Sequence, residues 1–301
     1  MEVVKKIIDS GAITIRDVDN GEKPFVYSAG NHGPGYIMIK GLCGQPDVMH
    51  YLVDKLADKV AKACPQVDFI NGNVTGGVVT GWLLRDKLSE KLGRNIPFVY
   101  LRGARKRGGH DELITGIHNN STIKKGMNVV VVEELVNSGM TTINAVDTFR
   151  NCGYNVTHVA TVLFYNHDFV NVELEKNNIN LVSLVTLDEL LNVAKDNNLM
   201  KSHLVDSYKS FLTNSVKWQL KHGLPLPEDT AKLAEDQGYL MKLMDTETAV
   251  TFGAPKSKLE QGVKYYKHMK PTVMVAVDDP QWGLVRNLVD NCEVDNYGFK
   301  I

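Results

Sequence analysis

The sequence predicts an α/β chain built on a doubly wound parallel sheet of about five strands, and two observations carry that reading. Apolar β-branched runs alternate with segments of helical period, the pattern of parallel strands joined by crossover helices. The runs are nearly continuous in apolar residues, as strands covered on both faces are. In chain order the strands are VDFINGN at 67–73, IPFVYLR at 96–102, MNVVVVEE at 127–134, VTHVATVLFYN at 156–166 and LVSLVT at 181–186. The amphipathic stretches are 48–64, 81–93, 141–153 and 187–198. After about residue 200 the character changes. A helical pattern over 202–223 is broken by GLPLPED, resumes in TAKLAEDQGYLMKLMD, and is followed by a strand pattern, TVMVAV at 272–277. The expected organisation is a domain over 1–200 and a C-terminal mixed α/β extension over 201–301 of unknown role.

Composition narrows the function classes. With 301 residues and 43% hydrophobic content the chain can bury an ordinary core without staples. Its 34 basic and 35 acidic residues leave a net charge of -1, so nothing points to a nucleic acid or a membrane surface as partner. Cys43, Cys64, Cys152 and Cys292 form no zinc-like spacing and read as reduced, mostly buried thiols. No signal-peptide core and no apolar run of about 18 residues is present, which predicts a soluble, cytoplasmic protein.

The chemistry concentrates in VVVVEELVNSGMTT at 129–142, where a valine strand ends in two adjacent carboxylates and a small polar loop. In an open parallel sheet, ligands sit beyond the carboxyl ends of the strands, where the loop into the next helix exposes backbone N–H groups suited to a phosphate. Asn137, Ser138, Gly139, Met140, Thr141 and Thr142 form such a loop, and Glu133 and Glu134 before it can accept hydrogen bonds from a vicinal diol. Phosphate and diol side by side describe a ribose 5-phosphate. Taken alone, the same residues also fit an ordinary strand end, with Ser138 or Thr141 capping the next helix.

A second constellation is INGNVTGG at 70–77, in which Gly72, Thr75, Gly76 and Gly77 would let a backbone loop approach a pyrophosphate, or simply make a tight strand-to-helix turn. A third is YLRGARKRGGHDELITG at 100–116, where Arg102, Arg105, Lys106 and Arg107 lie among glycines as a basic flap suited to closing on a polyanion.

Together these blocks, with FVYSAGNHGPGYIMIK at 25–40 and the segment 162–191, resemble the type I phosphoribosyltransferases, and among them the orotate phosphoribosyltransferase group, in the family's order over roughly residues 10–198. The resemblance implies that family's fold, with a small hood over the sheet, and transfer of ribose 5-phosphate from phosphoribosyl pyrophosphate (PRPP) to a nucleobase, most simply orotate. It implies Lys106 and Arg102 as catalytic flap residues, Glu133 to Thr142 as the PRPP loop, magnesium (Mg2+) carried by the pyrophosphate rather than by protein ligands, and a homodimer. His32, Tyr36, Asn166 and His167 fall on the base side, although a satisfied turn histidine fits His32 as well.

The departures are specific. Glu134 stands where Asp is usual, and Met140 where Gly or Thr is usual. Gly103 replaces the lysine after the opening arginine, and Arg107 the acid after the catalytic lysine. The loop histidine falls on Gly108, with His110 nearby as its replacement. The arginine that meets the orotate carboxylate is absent, with Asn166 or His167 in its place, and a neutral histidine is a weaker carboxylate partner than a guanidinium fork. The alternatives are therefore a different base, or a regulatory protein that binds PRPP or a nucleotide with weak catalysis.

Overall fold

The protein is described from a computed structural model, over residues 1–27, 30–102, 113–118 and 120–225. In chain order the elements are α1 (Glu2–Asp9), β1 (Ile13–Ile15), β2 (Phe25–Val26), β3 (His32–Gly33), β4 (Gly35–Ile37), α2 (Pro46–Ala63), β5 (Phe69–Asn73), α3 (Gly76–Leu92) and β6 (Phe98–Leu101). They continue with β7 (Ile114–Thr115), β8 (Asn128–Val136), α4 (Met140–Asn151), β9 (Asn155–Phe164), α5 (Asp168–Lys176), β10 (Asn180–Thr186), α6 (Leu187–Asp196), α7 (Ser202–Thr213) and α8 (Ser215–Lys221). Two compact units emerge, interleaved along the chain.

The first unit, Met1–Ile13, Met38–Asn166 and Asn171–Val193, holds the main sheet in the order β10-β9-β8-β5-β6-β7. Five strands run parallel and β7 pairs antiparallel with β6 at the edge. The five predicted strands are all present, and this sixth, two residues long, carries too little pattern to be read from the sequence. Val129 to Val132 in the middle of β8 are at most 2% exposed, which is why that strand reads as an unbroken valine run rather than an alternating one. Helices cover both faces. Phe149 of α4 meets Phe69 of β5, with ring centroids 6.1 Å apart, on the face opposite the one where Gly72 abuts α3. Chain order runs outward from β5 to β6 on one side and from β8 to β9 and β10 on the other. The point where the order reverses lies between β5 and β8.

The second unit comprises, among the described residues, Thr14–Ile37, His167–Val170 and the segment that starts at Ala194. Within it β2 pairs antiparallel with β3, and β4 is the sheet neighbour of β1, whose first residue, Ile13, belongs to the first unit. Helix α7 lies on the strands because Gly33 and Gly35 have no side chains: a Cβ there would run into Tyr27 and Phe211, or into the Tyr208 ring. Asp19 ties the 3-10 turn Val18–Asn20 to the helices, accepting from Ser207 Oγ at 2.8 Å and pairing with Lys221 and His222, both at 3.1 Å. Residues 202–225 are thus bonded to the N-terminal segment.

Several expectations need correction. The helix expected over 202–223 is two helices, broken at Asn214, whose side chain accepts from the Lys217 N–H and starts the second. Helix α3 begins at Gly76 rather than 81, since its glycines, poor helix formers, are held by close packing. Helices α1 and α5 lack a counterpart in the sequence reading. Of the three described cysteines only Cys64 is buried, while Cys43 and Cys152 are exposed, so the thiols are not mostly buried. The expected helix in TAKLAEDQGYLMKLMD and the strand at 272–277 lie outside the described residues.

Candidate active site

The carboxyl ends of β5 and β8 lie side by side, in a register that pairs Gly72 with Val132. Three groups of residues gather there: the turn from β5 into α3, the two acids at the end of β8, and the loop that opens α4.

Adjacent residues on a strand face opposite sides of a sheet, and this resolves how Glu133 and Glu134 coexist. Glu133 lies on the α4 face, 6% exposed, where Asn73 Nδ2 donates to its Oε1 at 2.7 Å and the Thr141 hydroxyl also hydrogen-bonds it. Burial pushes its carboxyl up to about 7, with the Glu134 charge adding to the rise and the Asn73 and Thr141 hydrogen bonds opposing it. Glu134 lies on the α3 face, half-buried, against Gly76: a Cβ added there would collide with the Glu134 carboxylate. Its carboxyl is also raised by burial, while its own backbone N–H and the charge of Lys40 lower it. Two acids whose carboxyls are both raised by burial suit the hydroxyls of a polyol.

The β5–α3 turn is built from close approaches. A Cβ at Gly72 would meet the Gly77 carbonyl, and one at Gly77 the Val132 carbonyl. Thr75, exposed, is the N-cap of α3 without a side-chain bond, so the first amides of a 17-residue helix face the strand ends. The packing reading of these glycines holds, and the same absence of side chains is what the pyrophosphate reading requires.

The loop after β8 opens α4 on a glycine. Gly139 adopts φ 71° and is the N-cap of α4, with no side-chain cap bond, so neither Ser138 nor Thr141 acts as the ordinary helix cap. Asn137 and Ser138 are exposed and Met140 is half-buried. Thr142 is 1% exposed, and its hydroxyl has no partner among the described residues.

Arg102 stands at the end of β6, its backbone N–H donating to the Leu113 carbonyl at 3.0 Å, next to the pairing of Leu101 with Ile114. The two stems of the basic flap are thereby joined as neighbouring strands. Arg102 Nε is buried without a partner among the described residues. Lys106 and His110, with Arg105 and Arg107, lie outside the described residues.

Residues 53–184 match the family described as "Phosphoribosyl transferase domain". This chain carries a phosphoribosyltransferase domain. Among curated relatives, the orotate phosphoribosyltransferase of Listeria monocytogenes is 26% identical over 217 residues, which is 72% of this chain and 97% of that protein. Among solved structures, the orotate phosphoribosyltransferase of Francisella tularensis aligns with a TM-score of 0.53 at 13% identity, over 70% of this chain and 97% of that one. Leishmania donovani UMP synthase aligns with a TM-score of 0.54 at 22% identity over 70% of this chain, and this chain spans 41% of that longer protein. The fold of the phosphoribosyltransferase domain is thus that of type I phosphoribosyltransferases.

The residues expected on the base side divide between the units. Asn166, in the first, has φ 59° and its Oδ1 accepts from Asn171 Nδ2 at 3.0 Å. In the second, His32 donates its backbone N–H to Gln219 Oε1 at 2.8 Å, but its ring Nδ1 is buried without a partner among the described residues, so it is not the satisfied turn histidine. Tyr36 is 41% exposed and lies against Phe25. Loss of water pushes His167 down to about 4, which leaves its ring neutral at neutral pH.

Sequence reasoning missed Asn71 and Asn73. They lie inside the same INGN stretch, but the glycines drew the attention. Two amides in an otherwise apolar, wholly buried strand are the signal that was available.

Proposed function

We propose that this phosphoribosyltransferase transfers ribose 5-phosphate from PRPP to orotate, giving orotidine 5'-monophosphate and pyrophosphate. The observation that carries the reading is the convergence, at the carboxyl ends of β5 and β8, of two adjacent carboxyls, both raised by burial, with two helix N-termini opened by glycine turns. The order of strands reverses at that place, which is where open α/β sheets take their ligands. The names of the curated relatives support orotate as the base.

In this reading the loop 137–142 holds the 5-phosphate on backbone N–H groups, and Glu133 and Glu134 accept from the ribose hydroxyls. The Gly72–Gly77 turn takes the pyrophosphate, with Arg102 and Lys106 closing over it. Bond breaking at the anomeric carbon leaves an oxocarbenium-like sugar and a departing pyrophosphate. Positioning of the sugar and neutralisation of the leaving group therefore supply most of the rate. Among the described residues no group of three or more His, Cys, Asp or Glu side chains could hold a metal ion. In this reading magnesium would reach the site on the pyrophosphate oxygens, where its preference for hard oxygen ligands and retained waters fits, and would neutralise the leaving group.

We further propose that the protein acts as a cytoplasmic homodimer, and that residues 1–200 carry the chemistry. The extension from 201 would serve a separate purpose. Among the described residues no helix is long and apolar enough to cross a membrane.

The test is a pair of variants. Lys106→Ala should slow turnover by about 100-fold or more with the fold intact. Glu134→Gln should raise the Kd for PRPP by roughly tenfold, a loss of ~1.4 kcal/mol. Wild-type values for both would remove the site assignment. A second reading, transfer to another base, is favoured by one observation: His167 is neutral and cannot replace the charge of a guanidinium against the orotate carboxylate. Offering orotate, uracil and the purine bases separately distinguishes the two.

A further inference from the structure

Asn71 and Asn73 join Glu133 in a buried polar chain, and neither amide has a part in the reaction as described. Asn71 Nδ2 donates to Asn73 Oδ1 at 2.8 Å, and Asn73 Nδ2 donates to Glu133 Oε1 at 2.7 Å. The three residues are 0%, 5% and 6% exposed. Asn71 and Asn73 are two apart on β5 and so share a face, and the β5–β8 register places Glu133 beside Asn73 on that same face.

In the structure the chain runs one way: Asn71 Nδ2 donates to Asn73 Oδ1, and Asn73 turns its own N–H to the Glu133 carboxylate. The arrangement costs something: Asn71 Oδ1 is buried with no partner among the described residues, a feature that a core built only for packing would not retain. Asparagine is also a poor strand former, yet two of the five residues of β5 are asparagine.

We propose that Asn73, itself oriented by Asn71, is a positioning residue that fixes the Glu133 carboxylate as a hydrogen-bond acceptor for the ribose of PRPP. The inference rests on the reading of Glu133 as a ribose-binding acid. Asn73 donates to the carboxylate and so favours its ionised form, opposing the burial that would otherwise leave the acid protonated and unable to accept from both hydroxyls. Thr141, on the first turn of α4, supports the same form from the other element packed against Glu133. The neighbouring charge is that of Glu134, which works against it, and among the described residues no cation takes part in setting the state of Glu133.

Two measurements test this. The first is the carbon-13 carboxyl titration of Glu133 in the protein without substrate, assigned by its loss in Glu133→Gln. Asn73→Val should raise the midpoint by about one pH unit, and Asn73→Thr, which keeps a donor, should recover part of the rise. The second is the KM for PRPP across pH. If the midpoint moves from about 7 to about 8, Asn73→Val should raise that KM by about fivefold at pH 7 and scarcely at all near pH 9, with kcat less affected. A merely structural role would shift KM equally at both pH values, and that result, or an unmoved midpoint in both variants, overturns the proposal. Wild-type protein with no affinity for PRPP would instead defeat the functional reading, and the carboxyl titration would still decide whether Asn73 governs Glu133.

Discussion

At the scale of single residues, Glu133 shows a trade of stability for function. Its carboxyl ionises at 4.5 in an ordinary setting and at about 7 in the fold. Between those values the folded state holds a proton that the unfolded state has lost, so stability falls as pH rises from about 4.5 to about 7 and is level above. The rise corresponds to on the order of 3 kcal/mol. Glu133→Gln keeps an acceptor for Asn73 and removes the charge. It should therefore stabilise the ligand-free protein by about 1–3 kcal/mol at pH 8 and by much less near pH 4, while weakening PRPP binding. Urea denaturation at the two pH values measures this, and an equal effect at both would show that ionisation of Glu133 is not the cause.

The acids were visible in the sequence because a carboxylate pair after four valines is rare in a buried strand. Their separation onto opposite faces followed from strand period. What sequence could not supply was the partner: Asn73 is 60 residues before Glu133, and only the register of β5 on β8 joins them.

At the scale of elements, α3 tests whether the glycine turn is packing, site or both. A Cβ at Gly77 would strike the Val132 backbone carbonyl, which cannot give way. Gly77→Ala should therefore destabilise the protein by about 1–3 kcal/mol. A Cβ at Gly76 meets only the end of the Glu134 side chain, which can swing aside. Gly76→Ala should leave stability within about 1 kcal/mol of wild type and raise the Kd for PRPP instead. Thermal unfolding and calorimetric binding on the two variants separate these outcomes, and equal loss of stability in both would contradict the division.

In the second unit Asp19 is held down to about 2, chiefly by the Ser207 hydroxyl and against the pull of burial, with Lys221 and His222 assisting. An acid so lowered adds stability above its ordinary 3.8 that is lost as pH falls toward 2. About a third of the side chain is in water, so screening cuts its contribution to roughly 1 kcal/mol. Asp19→Asn should cost about that much at pH 6, read by urea denaturation, and little near pH 2.

The long apolar strands and the helices after them were legible because burial on both faces leaves little freedom of composition. Helix α5 was not, since Asp168–Lys176 is short and its polar residues read as loop. The break at Asn214 was missed because the apolar period continues through it, from Phe211 to Val216 and Trp218.

At the scale of the whole molecule, the two units mix distant parts of the chain, and this is where sequence order misleads most. Helices α7 and α8 follow the predicted boundary near 200, yet Gln219 receives the His32 N–H and Ser207 binds Asp19, almost two hundred residues earlier. A composition change marks where strands stop alternating with helices. It does not mark which residues share a core.

The central claim is that the carboxyl edge of β5 and β8 binds PRPP and releases its pyrophosphate to a base. The most direct measurement is pyrophosphate release from PRPP and magnesium with orotate present, alongside reactions with no base and with Lys106→Ala. The account predicts release that requires orotate, yields orotidine 5'-monophosphate in equal amount and falls steeply in the variant. PRPP that binds but releases nothing with orotate or any other base would contradict it, and would make the protein a binding module built on a transferase fold.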